Sequence, residues 1–231
     1  MQILNKIRQR LNSQHFGFTL AEVLITLGII GVVAAMTIPT LVKEYQKTQM
    51  VSQLKKTYTC LAQAVKLSEM DNGNNSTWDW GTNGDATSIR QSFDTLWATY
   101  LKVSNYCTSN SDCGYSPADM LASIQKDGIN QFALTGASSR TPVKLQDGTT
   151  IIVFNNSNKQ IIADVNGGKG PNIYGKDVFF FVLDTDKGLM PQGYNSSTAT
   201  INTSCSLSNH GQYCAAKIMI DGWEIRSNYP W

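Results

Sequence analysis

Histidine is almost missing from this chain: there are two in 231 residues, and only His210 lies beyond the first 17. One imidazole cannot supply the close Cys/His pairs of a zinc site, and it leaves little acid–base chemistry near neutral pH. A nucleophile elbow, a phosphate loop, an HExxH helix and a paired His/Asp constellation are all absent as well. Paired carboxylates are the one catalytic device the composition leaves, so the expectation is a protein that is not an enzyme. Charge is scarce too, at 16% of residues. No Lys/Arg cluster with interleaved aromatics follows residue 60, and without a basic face to release counterions from phosphate, nucleic acid is not an expected partner.

Five cysteines are present and none forms a CxxC. Four fall in two short loops, Cys107 with Cys113 and Cys205 with Cys214. Two local disulfides in an oxidising compartment are the expected arrangement, although four cysteines permit three connectivities. Cys60 is left over on an apolar helix face, Tyr58-Thr59-Cys60-Leu61-Ala62, and reads as a buried free thiol.

What the sequence does contain is concentrated at its start. From Phe18 to Val42 the chain is apolar except for Glu22 and scattered Thr. That stretch of about 25 residues is enough to span a hydrocarbon core about 30 Å thick. Upstream, Lys6, Arg8, Arg10 and His15 occur with no Asp or Glu. The positive-inside bias then holds the leader in the cytoplasm and sends the remainder outward, giving a single-pass inner-membrane protein with a periplasmic C-terminal part. Formal net charge is +2, and removal of the three leader cations brings it to −1. No Ala-x-Ala site follows the apolar run, so an ordinary secretory signal peptide is not the reading.

The residues Gly17-Phe18-Thr19-Leu20-Ala21-Glu22 closely resemble the prepilin cleavage and methylation signal of type IV pilins and type II secretion pseudopilins. The resemblance implies a cut by prepilin peptidase between Gly17 and Phe18. It also implies N-methylation of Phe18 and a filament of pilin or pseudopilin subunits drawn from membrane lipid. Glu22 would be the fifth mature residue and would meet a neighbouring subunit's N-terminal amine. A carboxylate within a bilayer costs several kcal/mol and is rarely kept without a partner, which agrees with that role. Gly28 and Gly31 allow close helix approach, and Pro39 cannot donate to the carbonyl of Ala35 and so weakens the helix there. The family reading is a structural subunit, either a type II secretion pseudopilin or a type IV major or minor pilin. A ligand-binding module that merely uses the pilin anchor is the alternative from another class, with Trp78, Trp80, Trp97, Trp223 and Trp231 as its aromatic surface.

Past the membrane segment Val51, Leu54, Tyr58, Leu61 and Val65 repeat at three- and four-residue steps, as an amphipathic helix requires. Residues 1–17 therefore form the leader, 18–42 the membrane and filament-core helix, 43–70 its amphipathic continuation, and 71–231 the globular domain. The continuous helix would run about 80 Å at 1.5 Å per residue, and Asp71-Asn72-Gly73-Asn74-Asn75 supplies its stop. A second helix is expected over Ile89, Phe93, Leu96, Trp97, Tyr100 and Leu101. A short one is expected after Ser116-Pro117-Ala118-Asp119. Strands are expected at 143–145, 149–154, 160–165 and 178–183, then at 215–220 and 223–227 joined through Asp221-Gly222. The fold class is α+β: a long N-terminal helix packed on a C-terminal antiparallel sheet, the pilin-like lollipop.

The most distinctive run is Asp164-Val165-Asn166-Gly167-Gly168-Lys169-Gly170-Pro171-Asn172, followed by Gly175, Lys176 and Asp177. Asp164, Asn166 and Asp177 are hard oxygen donors, and major pseudopilins hold calcium near such loops. Lys169 and Lys176 compensate the aspartates without metal, so a hydrogen-bonded, Gly-rich turn with no required cofactor is the preferred reading. Asp184 and Asp186 read as hairpin-turn residues.

Overall fold

The computed structural model describes residues 17–125, 131–135, 138–156 and 158–231. The expected leader therefore lies outside the described residues except for Gly17. The chain divides into two compact units, one up to Tyr45 and one from Gln46 to Trp231. Helix α1 runs Leu20–Asn72 and contributes to both.

In the first unit the described large apolar side chains of the helix are exposed. Leu24, Ile25, Ile29 and Ile30 are each more than half exposed, and the helix is long and apolar enough to cross a membrane. In the second unit the same helix buries one stripe, Met50, Leu54, Thr57, Leu61, Ala64, Val65 and Ser68. These three- and four-residue steps are the periodicity of an amphipathic face. Past Asn72, Gly73 takes φ +78°, a left-handed position that ends the helix without a Cβ penalty.

Six antiparallel strands form the main sheet: β1 Val103–Tyr106, β4 Arg140–Leu145, β5 Thr150–Asn156, β6 Asn158–Asp164, β7 Val178–Asp184 and β8 Gly188–Pro191, side by side in that order. A two-stranded sheet pairs β2 Met120–Ala122 with β3 Gln131–Ala133. Both faces of the main sheet are covered, which explains its near-continuous apolar runs. Ile151, Val153, Ile161, Phe179 and Phe181 join the α1 stripe and Trp78, Trp80 and Trp97 in one core. Ile152, Ile162, Val178 and Phe180 join Tyr115, Leu121 and Leu134 in a second. Tyr58 fixes α1 to the sheet, its hydroxyl donating to the Leu189 carbonyl at 3.1 Å while its ring lies 6.0 Å from that of Phe181. The arrangement is α+β and pilin-like.

Three local expectations need correction. Helix α2 spans Ala86–Leu96, capped by Asp85, and gives way after Trp97 to a 3-10 turn over Ala98–Tyr100. The apolar spacing continued to Leu101, but the Leu101 amide donates three residues back, to Ala98. No helix starts at Ser116. Its amide bonds the Asp119 carboxylate at 2.7 Å, closing a turn that leads into β2. Residues 215–220 are not a strand but helix α4, Cys214–Ile220, preceded by α3, Thr198–Ser204. Four to eight apolar residues fit a buried helix turn as well as a strand. Asp221-Gly222 is likewise no hairpin turn: Gly222 at φ +84° donates to Met219, and Trp223 donates to Ile218. That bond pair is a Schellman cap, so 223–227 does not return as a strand.

Candidate functional site

At the start of α1, Thr19 and Glu22 bind each other reciprocally. The Thr19 amide and hydroxyl both donate to Glu22 Oε2 at 2.8 Å, and the Glu22 amide donates to Thr19 Oγ1 at 3.2 Å. This is a capping box, with Thr19 as N-cap and Glu22 three residues on. The resemblance gives Glu22 a role in assembly alone. The Thr-x-x-Glu spacing before an apolar run was the signal that also gives it a local role. Phe18 beside it is 88% exposed, and Gly28 and Gly31 have open space where a Cβ would stand. Pro39 lies inside the uninterrupted helix.

Both cysteine pairs are local, Cys107 with Cys113 and Cys205 with Cys214. The first closes a loop over the second core, and the second ties α3 to α4. Cys60 is half-buried, and burial pushes its thiol pKa up, away from reactivity. Next to the second bridge Lys217, 2% exposed, bonds Asn202 Oδ1 at 2.8 Å and meets Asp221 at 3.3 Å.

The Gly-rich run after β6 brings Asp164, Asn166 and Asp177 together, with Tyr115 added from the first cysteine loop. Asp164 is fully buried; Tyr115 donates to its Oδ2 at 2.7 Å and the Asn166 amide to its Oδ1 at 3.3 Å. Asp177 accepts the amides of Asn172 at 2.8 Å and Ile173 at 2.7 Å, and Asn166 Nδ2 at 3.3 Å. Burial first, and then the Asp177 charge, holds the Asp164 carboxyl well above the usual range. Burial likewise raises Asp177. For a cation the donor set fits poorly. Both Asp177 oxygens face N–H groups, and Asn166 turns its nitrogen rather than its oxygen toward Asp177. No group of three or more His, Cys, Asp or Glu side chains suited to a metal occurs among the described residues.

A family model described as a family of unknown function (DUF6613) matches residues 40–231. The chain belongs to that family. Its first part, residues 12–38, matches the prokaryotic N-terminal methylation motif, the signal of type IV pilins and pseudopilins. Nothing matches among curated proteins or solved structures. The motif is the one processed by prepilin peptidase and carried by subunits that assemble with other pilins, and with the apolar N-terminal helix, the one membrane-capable helix among the described residues, it fits an inner-membrane anchored protein.

Proposed function

We propose that this protein is a structural filament subunit made as a membrane precursor. Residues 1–17 are the leader, cut by prepilin peptidase after Gly17, and Phe18 then becomes the N-methylated first residue. Residues 18–42 cross the membrane and later form the filament core, 43–70 continue the helix, and 71–231 form the periplasmic domain. Glu22 neutralises a neighbouring subunit's N-terminal amine and sets axial register, while Gly28, Gly31 and Pro39 shape the packing of the helices. The observation that carries this is the methylation motif at the head of a helix whose apolar residues are exposed.

The finer reading is a type II secretion pseudopilin, whose work is mechanical: it polymerises and pushes cargo through the periplasm. A type IV pilin is the second reading, favoured by the two local disulfides, which suit a fibre exposed outside the cell. Intact mass spectrometry of the membrane-extracted protein, made with and without prepilin peptidase, tests the proposal. Loss of residues 1–17 and a methyl increment on Phe18 are expected, and an uncut chain beside an active peptidase overturns the filament reading. In a deletion strain, lost export of a secreted protein marks the pseudopilin, and lost sheared surface fibres mark the pilin.

A further inference from the structure

The Gly-rich run does more than turn the chain. Within the second unit it forms one wall of an open cavity of about 370 Å³, and the opposite wall is the Gln46, Gln49, Met50 and Gln53 face of α1. Asn166, Lys169, Lys176 and Asp177 line it from the loop, and Trp231 closes one side. The volume falls at the lower end of the range for small-molecule sites, about 300–1,000 Å³.

Four side-chain amides, from Gln46, Gln49, Gln53 and Asn166, meet here, and each carries both donors and an acceptor. They stand on two rigid supports. The glutamines repeat along one helix face, and Asn166 is held through Nδ2 by the Gly170 carbonyl at 3.0 Å and by Asp177. Asn166 Oδ1 is shielded from bulk water and has no hydrogen-bond partner in the protein. A buried acceptor left unmatched calls for a donor, and a ligand hydroxyl reaches this one when the amide turns and exchanges its Gly170 and Asp177 contacts for contacts to the ligand. The acid in the wall does not repel an incoming ligand strongly, because its oxygens already face the Asn172, Ile173 and Asn166 donors. The other tryptophans are committed elsewhere. Trp78, Trp80 and Trp97 are buried in the core, and Trp223 lies against the Tyr58 ring at 5.3 Å. Trp231 also packs against the main core, but it is only partly buried and lines this cavity.

A flat aromatic side, a ring of amides with paired donors and acceptors, and an ammonium group together match the alternating C–H faces and hydroxyls of a sugar. We infer that this cavity binds a short saccharide, with Trp231 against a sugar face and the Gln46, Gln49, Gln53 and Asn166 amides on its hydroxyl, acetamido or carboxyl groups. This goes beyond the filament role and does not depend on it. The test uses the detergent-solubilised full chain, with tryptophan fluorescence and calorimetry as readouts and two probes, the N-acetylglucosamine trimer and digalacturonic acid. Saturable binding of either, weakened at least tenfold in Trp231→Ala and in Gln49→Ala, supports the site, and the preferred probe shows whether acetamido or carboxylate groups are read. No saturation by either probe at 20-fold the protein concentration and up to millimolar levels overturns it. So does binding that both variants keep, or an equal response to calcium chloride alone. Thermal melting of both variants at the wild-type temperature separates lost binding from lost folding.

Discussion

Asp164 gives the sharpest test of how the Gly-rich run is held. Its carboxyl is fully buried, faces the Tyr115 hydroxyl, and is raised by burial first and by Asp177 second. An acid raised on folding binds its proton more tightly in the native state, so the native state carries more protons and stability falls as pH rises. This contribution is fully present below the unfolded value near 4 and is lost as pH climbs toward the raised native value. The limiting slope for one proton is about 1.4 kcal/mol per pH unit. In a folded unit of this size that corresponds to about 3–6 °C in Tm per unit. Asp164→Asn is neutral at every pH and keeps the shape. Its oxygen can take the Asn166 amide while the Tyr115 hydroxyl rotates to accept from the new NH2 group. The expected result in scanning calorimetry between pH 4 and 8 is a falling Tm for the parent and a flatter curve for the variant. The two should cross, with the variant equal or better at pH 8. If Asp164→Asn loses several kcal/mol at pH 8 and calcium restores the parent alone, the carboxylate is charged and metal-bound, and the hydrogen-bonded turn is the wrong reading.

Two other perturbations follow from geometry. A Cβ at Gly168 would stand 2.0 Å from the Gly114 carbonyl oxygen, backbone against backbone. Gly168→Ala should therefore cost about 1–3 kcal/mol in chemical denaturation by forcing the Gly-rich run off the cysteine loop, and a change below a few tenths refutes that close approach. Replacing Cys205 and Cys214 together by Ser opens a nine-residue separation. The loss should be about 2–4 kcal/mol, confined to the non-reduced comparison; equal midpoints with and without reductant refute a stabilising bridge.

Much of this fold was readable because the signals were periodic. The three- and four-residue steps of Leu54, Tyr58, Leu61 and Val65 name the core-facing stripe of α1, and the β-branched run Thr150-Ile151-Ile152-Val153 between Asp-Gly and a polar turn names β5. The C-terminal stretch misled for a physical reason. Six residues before Asp-Gly, five of them apolar with Lys217 among them, suit both a hairpin and a helix closed by glycine, and the choice is made by the Cys205–Cys214 bridge and by packing of Ala215 and Ile218 into the core. The site divides in the same way. The methylation motif is contiguous, so it was legible; Tyr115 on Asp164 lies 49 residues away, and no local pattern announces it. Nor does sequence show that Gly168 is glycine because the Gly114 backbone leaves no room for a side chain.

Glu22 is where the local and the assembled roles meet. In the isolated chain both Thr19 donors end on Oε2 of this residue, so that oxygen is engaged before any partner arrives, and the charge sits favourably at the helix start. Cleavage after Gly17 would place a new amine on Phe18, one residue before Thr19. A neighbour's amine must then compete with contacts the subunit already makes with itself. Glutamine at this position preserves a capping box but removes the charge, whereas alanine removes both. Glu22→Gln should therefore keep hydrogen-exchange protection at the Thr19, Glu22 and Val23 amides and still fail to give filaments. Glu22→Ala should lose both, with protection falling by the factor of about 5–30 that 1–2 kcal/mol represents. Filaments of Glu22→Gln at parental yield refute charge neutralisation and leave Glu22 as a helix cap alone.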